Sequence, residues 1–304
     1  MNLLPIEIKV NIEGEAAAAL SALGGEGVAQ TTRRIWFAED RDGVADGRVR
    51  LLDEGVIVRF RIGGGLDELT VKLRPCDREK LVGRFTDPFD ATPFTYRIEE
   101  DWSADRRMVA ASLTHGHPPG ALLGAVQPGA DSAASIGALQ DQFLDVCVPA
   151  VRLDGLVALG PVLSTKAADV ALGDLEVDLE AWRVAGLQFL EASTRVKPKD
   201  GDDVGELAAR AERRQRKLEE AVRERGVTLS ELPDSKTRRV PAGAHVHESV
   251  RLRIAADTGY AKRIPDGVIW TDKEWLTPHP RAGAGARASR QTAGVRGDGP
   301  SPGR

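Results

Sequence analysis

An α+β domain built mainly from antiparallel strands is what this sequence predicts, and three features of it carry the prediction. Several segments alternate apolar and polar residues with a period of two. A Gly63-Gly64-Gly65 run between two of them reads as a hairpin turn. Helical patches stand at a few places between and after the strands. The length of 304 residues suits one to two domains and a substantial core.

The first strand is Ile6-Glu7-Ile8-Lys9-Val10, followed by a helical patch over Glu15–Leu23. Val56–Ile62 and Leu69–Arg74 flank the glycine turn. Phe94–Trp102 and Met108–Leu113 suggest a second hairpin, turning near Ser103–Arg106. A helix is expected over Ser135–Val148, then an antiparallel pair at Leu175–Trp182 and Leu187–Val196. Asp203–Arg225 is a helix with Val204, Leu207, Ala208, Ala211, Leu218 and Val222 on one stripe. Its many charges, with Glu206, Glu212, Glu219, Glu220 and Glu224 among the Arg and Lys residues, read as a solvated face. Residues 1–240 form one domain on this reading. Residues 241–280 are an extension with Trp270, Trp275 and a strand pattern at Val250–Ile254, and 281–304 are a disordered tail of Ala, Gly, Arg, Ser and Pro.

Composition narrows the function. The net charge is −4, but residues 281–304 carry +4 of it, so the body is acidic at −8 and a general nucleic-acid surface is not expected. Two cysteines, Cys76 and Cys147, exclude a disulfide framework and a Cys-rich zinc module. Glu7 and Lys9 break the N-terminal apolar run, and no stretch reaches the roughly 18 apolar residues of a spanning helix. No membrane role and a cytoplasmic location are therefore expected. His115-x-His117 and His245-x-His247 lie beside Gly and Pro without a further ligand at metal spacing.

The strands' polar faces are more telling. Alternation puts Glu7 with Lys9, Arg59 with Arg61, and Thr70 with Lys72 and Arg74, each opposite an apolar face. An open half-solvated sheet gives this pattern. So does a closed barrel with its charged faces inward and helices over its apolar exterior, whose lumen would suit an extended polyanion. Carboxylates interleaved with the cations would then call for a divalent cation, and Mg²⁺ takes oxygen ligands beside phosphate.

At these residues the sequence resembles the CYTH superfamily, the triphosphate tunnel metalloenzymes. Pro5-Ile6-Glu7-Ile8-Lys9 resembles its Glu-x-Glu-x-Lys signature, and Arg34-Ile35-Trp36-Phe37 followed by Leu51-Leu52-Asp53-Glu54-Gly55 its aromatic strand, leucine pair and glycine. Val58-Arg59-Phe60-Arg61, Thr70-Val71-Lys72-Leu73-Arg74 and Arg97-Ile98-Glu99-Glu100-Asp101 are similar to its next elements. Leu159-Gly160-Pro161-Val162, with Lys166 beyond, resembles its turn before a late basic strand, and Phe189-Leu190-Glu191-Ala192-Ser193 its closing strand. The match spans residues 5–196 and, more loosely, to about 240.

The resemblance implies a closed antiparallel eight-stranded β-barrel, a tunnel, with helices packed outside. It implies metal-dependent hydrolysis of an inorganic or organic triphosphate with Mg²⁺ or Mn²⁺. Carried over by position, the catalytic set is Glu7, Lys9, Arg59 and Arg61. Phosphate oxygens fall to Lys9, Arg59, Arg61, Lys72, Arg74 and Lys166, and metal to Glu7, Glu99, Asp101 and Glu191. Pro5 departs from the pattern, removing one carboxylate of the signature, and Ser193 stands where some members carry another. The alternatives are a non-catalytic module that binds polyphosphate or another polyanion, and an adenylate cyclase. Glu176, Asp178 and Glu180 share one strand face and are candidates to replace the missing carboxylate. A homodimer is one option the sequence leaves open.

Overall fold

In the computed structural model, which describes residues 2–184 and 186–230, the alternating segments are strands that curl into a closed barrel. In chain order they are β1 (Ile6–Ile12), β2 (Gln30–Asp40), β3 (Val56–Ile62), β4 (Asp67–Leu73), β5 (Phe89–Ala91), β6 (Phe94–Ser103), β7 (Arg106–His117), β8 (Leu156–Leu172), β9 (Leu175–Val184) and β10 (Leu187–Val196). Neighbours run β1-β10-β9-β8-β2-β3-β4-β7-β6, β1 pairs with β6 to close the ring, and β5 is an extra strand outside it.

The ring therefore has nine strands instead of the expected eight. It is also not wholly antiparallel: β1 runs parallel to β6, with Glu7 beside Asp101. The odd number requires this. Strand directions that alternate around a closed ring can agree at every seam only when the count is even, so a nine-membered ring keeps one parallel seam.

Alternation sorts the side chains onto two faces, as the burial of β1 shows: its apolar residues are buried and Glu7, Lys9 and Asn11 are half-buried. The outward apolar faces of β1, β9 and β10 lie under helices α1 (Ala16–Ala22) and α5 (Val204–Glu224). Two short helices, α2 (Arg41–Ala45) and α3 (Arg50–Asp53), follow β2. The outward faces of β3, β4, β6 and β7 pack against α4 (Ala138–Cys147) and its flanking loops. Asp203 opens α5 with a capping box: it accepts from the Glu206 N–H at 2.8 Å, and the Glu206 carboxylate accepts from the Asp203 N–H at 3.1 Å. The stripe expected on this helix is buried at Leu207, Ala211, Leu218 and Val222, whereas Val204, in the uncovered first turn, is exposed. Both hairpins form where expected.

Leu159-Gly160-Pro161 is not the turn that the motif suggested. It lies inside β8, where Gly160 and Pro161 together face Trp36 as a bulge in the β2–β8 ladder. A side chain at position 160 would meet the Ile35 carbonyl at 2.8 Å, so glycine is required there.

One end of the lumen is floored. Ile35, Phe37, Ile57, Val162 and Trp182 continue the inward faces of four strands into a buried apolar layer, with Val49 and Leu52 packed on it. Glu39, 3% exposed, anchors that layer by accepting from the backbone N–H groups of Leu51 and Leu52, both at 3.0 Å. Burial outweighs those bonds and pushes the Glu39 carboxyl up from 4.5 to about 7. A raised folded-state value favours the protonated form. Its contribution to stability is fully present below pH 4.5 and lost as the pH rises through about 7. The loss is on the order of 3 kcal/mol. Urea unfolding of wild type and Glu39→Gln at pH 4.5 and 7.5 is expected to show wild type losing that much relative to the variant. Parallel pH dependence in the two proteins would rule this role out.

After α5 the chain returns to the end of β1, where Ser230 N–H donates to the Asn11 carbonyl at 2.8 Å. The expectations for 241–280 and 281–304, and for His245 and His247, lie outside the described residues. Among the described residues no helix is long and apolar enough to cross a membrane.

Candidate functional site

The inward faces of the barrel strands enclose a cavity of about 480 Å³. Eight basic side chains line it (Lys9, Arg33, Arg59, Arg61, Lys72, Arg74, Lys166 and Arg195), against six acidic ones (Glu7, Glu68, Glu99, Asp178, Glu180 and Glu191). Ile57 and Trp182 show through from the apolar floor. Strand alternation produces this lining: β1 supplies Glu7 and Lys9, β3 supplies Arg59 and Arg61, β4 supplies Lys72, with Arg74 just past its end, and β10 supplies Glu191 and Arg195.

Carboxylates gather at the parallel seam. Oxygens of Glu7, Glu99 and Asp101 lie within 4.8 Å of one another. Asp101, 3% exposed, lies beneath the lining and accepts from Lys9 at 2.7 Å, Lys72 at 3.3 Å and Arg74 at 3.2 Å. Lys9 also reaches Glu7 at 2.6 Å, and Lys72 stands 3.5 Å from Glu99. Arg195 contacts Glu7 and Glu99, each at 3.2 Å. Burial alone would raise the Asp101 carboxyl, but Lys9, Lys72 and Arg74 together hold it far below the ordinary range. Glu7 is likewise lowered, Lys9 overcoming burial. Lys9 is raised, because Glu7 and Asp101 outweigh the burial that opposes its charge. Lys72 goes the other way, lowered by burial and by the neighbouring Lys9.

Across the lumen the balance is different. Arg33 pairs with Glu68 at 2.7 Å and Lys166 with Asp178 at 2.7 Å. Ser164 donates to Glu180 at 2.7 Å. Arg61 stands off from Glu68 and Glu180 at 3.8 Å each. Arg59 has no hydrogen bond or ion pair among the described residues, and its Nε is buried without a partner. Burial, with Arg61 beside it, pushes the Arg59 guanidinium down to about 9. It remains charged at neutral pH, facing the lumen with Glu180 and Glu68 attracting it only from beyond ion-pair distance.

No protein-family model and no curated protein matches the sequence. Among solved structures the chain is similar to a candidate adenylyl cyclase from Hippeastrum described by a dominant triphosphatase activity, at 15% identity over 79% of this chain and 96% of that one, with a TM-score of 0.49. It is also similar to a candidate adenylate cyclase of Bacillus halodurans (14% identity, 78% and 96% covered, TM-score 0.45) and to PH1819 of Pyrococcus horikoshii OT3 (17%, 74% and 92%, TM-score 0.35). At such identities and scores these likenesses say nothing of activity. The strands of this chain say more, since the strands that carry the motifs join in one closed barrel and turn Glu7, Lys9, Arg59, Arg61, Lys72, Glu99, Lys166 and Glu191 inward. At the level of the fold, the resemblance to the CYTH superfamily holds.

Of the CYTH-like positions, Glu7, Lys9, Arg59, Arg61, Lys72, Arg74, Glu99, Lys166 and Glu191 all line the cavity, and Asp101 lies under it. Glu191, 9% exposed, stands apart from the Glu7, Glu99 and Asp101 group. Asp178 and Glu180 face the lumen against Lys166 and Ser164, away from that group. Arg33, Glu68 and Arg195 were not anticipated. Arg195 was within reach of alternation, which carries Glu191 through Ser193 to Arg195 on one face. His115 stacks on Phe94 near the end of β7, with the His117 ring tilted against it, and both lie apart from the lining.

The seam carboxylates suit a hard divalent cation in donor type and spacing, as three oxygens within 4.8 Å. Each already meets at least two basic groups, so the cluster is neutralised from within.

Proposed function

We propose that the lumen binds a linear triphosphate and, with Mg²⁺ or Mn²⁺, hydrolyses it. Arg59 carries this reading: a guanidinium inside a barrel, with no anion of its own, calls for an anionic ligand. Arg61 and Arg33 continue its wall, and Lys72, Arg74 and Lys9 lie toward the seam, so an extended anion meets cations along its length. Guanidinium forks suit paired phosphate oxygens, and the ammonium groups act as point charges. Phosphoryl transfer depends mainly on positioning and charge neutralisation, and the arginine wall supplies both for the bridging and terminal oxygens. Glu7, Glu99 and Asp101 would hold the metal, while Glu191 lines the same lumen apart from them. The ion, when bound, supplies charge neutralisation and an activated water. The floor beneath Trp182 and Ile57 keeps the ligand's inner end away from bulk solvent.

A second reading is a polyphosphate-binding module without turnover. It is favoured by Pro5, which leaves the signature one carboxylate short, and by the internal neutralisation of the seam. Phosphate release from tripolyphosphate, measured with Mg²⁺, with Mn²⁺ and with EDTA on wild type and Arg59→Leu, separates the readings. Metal-dependent release that falls at least tenfold in the variant is the expected result. Arg59-dependent binding without release selects the second reading, and absence of both binding and release sinks the two together.

A further inference from the structure

Three side chains meet where the barrel closes. Glu7 on β1 sits directly across from Arg195 on β10, and Glu99 reaches the same guanidinium from β6. One nitrogen of Arg195, Nη2, stands 3.2 Å from a Glu7 oxygen and 3.2 Å from a Glu99 oxygen. It thus spans two of the carboxylates that would serve a divalent cation. The other cations here are held more tightly: Lys9 and Lys72 are each 14% exposed and Arg74 11%, and all three share the buried Asp101. Arg195 is 49% exposed and does not contact Asp101. It can swing into water without leaving a charge buried and unpaired, and half-exposed pairs of this kind hold weakly.

The geometry points to Arg195 as a displaceable internal cation that bridges Glu7 and Glu99 and competes with a divalent metal for them. Displacement also frees its guanidinium to turn toward phosphate in the adjoining lumen. The inference deepens the proposed function, resting on it only in taking Mg²⁺ or Mn²⁺ as the cation that the seam would receive.

Manganese binding without phosphate tests it directly. Titration followed by the EPR signal of free Mn²⁺ compares wild type, Arg195→Gln, Arg195→Lys and Arg183→Gln, the last removing an exposed charge elsewhere on the barrel. Arg195→Gln is expected to bind Mn²⁺ at least about fivefold more tightly, in the usual range of coupling between two competing ligands. Arg195→Lys and Arg183→Gln are expected to stay within about twofold of wild type, because the first keeps the charge and the second never faced the seam. Adding Glu99→Gln to Arg195→Gln is expected to erase the gain. Unchanged affinity in Arg195→Gln, an equal gain in Arg183→Gln, or no Mn²⁺ bound by any variant would overturn the inference. Tripolyphosphate binding in EDTA, measured on the same wild-type preparation, reports on the proposed function separately. Such binding with no Mn²⁺ gain removes this inference alone, and the Mn²⁺ gain without such binding removes that reading alone.

Discussion

Replacing Arg59 by leucine is expected to weaken tripolyphosphate binding in EDTA by about ten- to a hundredfold, while leaving the unliganded barrel as stable as before or more so. The two halves come from one observation. Arg59 has no hydrogen bond or ion pair among the described residues and lines the lumen together with Ile57 and Trp182. Its burial outweighs the more distant pull of Glu180 and Glu68, so in the absence of ligand its charge opposes folding. Leucine removes the uncompensated cation and adds apolar surface next to the floor, worth about 1–2 kcal/mol. With phosphate present the balance reverses, since charge-assisted hydrogen bonds contribute about 1.5–3 kcal/mol each and leucine offers none. Calorimetric titration gives the first quantity and urea unfolding without ligand the second. A variant destabilised by more than about 2 kcal/mol with unchanged binding would make Arg59 a structural residue. A mutation that stabilises the empty protein while disarming it is the signature of a residue kept for its ligand.

What the sequence could show here follows from the geometry of strands. With side chains alternating at period two, Glu7 with Lys9, Arg59 with Arg61, and Lys72 with Arg74 were legible as charged faces before any fold was known. Which way those faces turn was not. An open sheet and a closed barrel share the same alternation, and the decision lies in the β1–β6 seam, a parallel pairing between segments about ninety residues apart that no local pattern announces. The floor was half legible. Val56-Ile57-Val58 is a continuous apolar run at the start of an alternating strand, as expected where both faces are buried. Glu39 was out of reach, because one carboxylate at a strand end becomes a cap only once α3 is folded against it. Gly160-Pro161 misled for a related reason: the pair suits a bulge as well as a turn, and only the ladder on either side distinguishes them.

Asp101→Asn is expected to have the opposite signature, a large loss of stability with a gain in anion affinity. Asp101 is the shared acceptor of Lys9, Lys72 and Arg74, and it is almost wholly buried. Asparagine matches its shape but offers an amide N–H₂ where the carboxylate met three cations, so the charges left behind repel one another in a low-dielectric seam. Breaking a buried pair from one side costs about 3–5 kcal/mol, which for a domain of this size lowers the melting temperature by roughly 10 °C. The pH dependence follows with its sign. Asp101 titrates well below its ordinary value of 3.8 in the folded protein, so its contribution is present above pH 3.8 and lost as the pH falls through the depressed value. Wild type and variant are therefore expected to converge in acid and to differ most near neutrality. Removing this anion also makes the lumen more positive, so tripolyphosphate in EDTA should bind more tightly and restore part of the lost stability, by about 2.7 kcal/mol at a hundredfold excess over Kd. Thermal unfolding at pH 7 with and without tripolyphosphate measures both effects. If the variant melts within about 3 °C of wild type, the lysines and Arg74 have reached solvent by extending along the barrel wall, and the seam is more open than its contacts imply. If it melts early and ligand does not rescue it, the three cations serve the fold and not a polyanion, and the phosphate site must be confined to the arginine wall around Arg59 and Arg61.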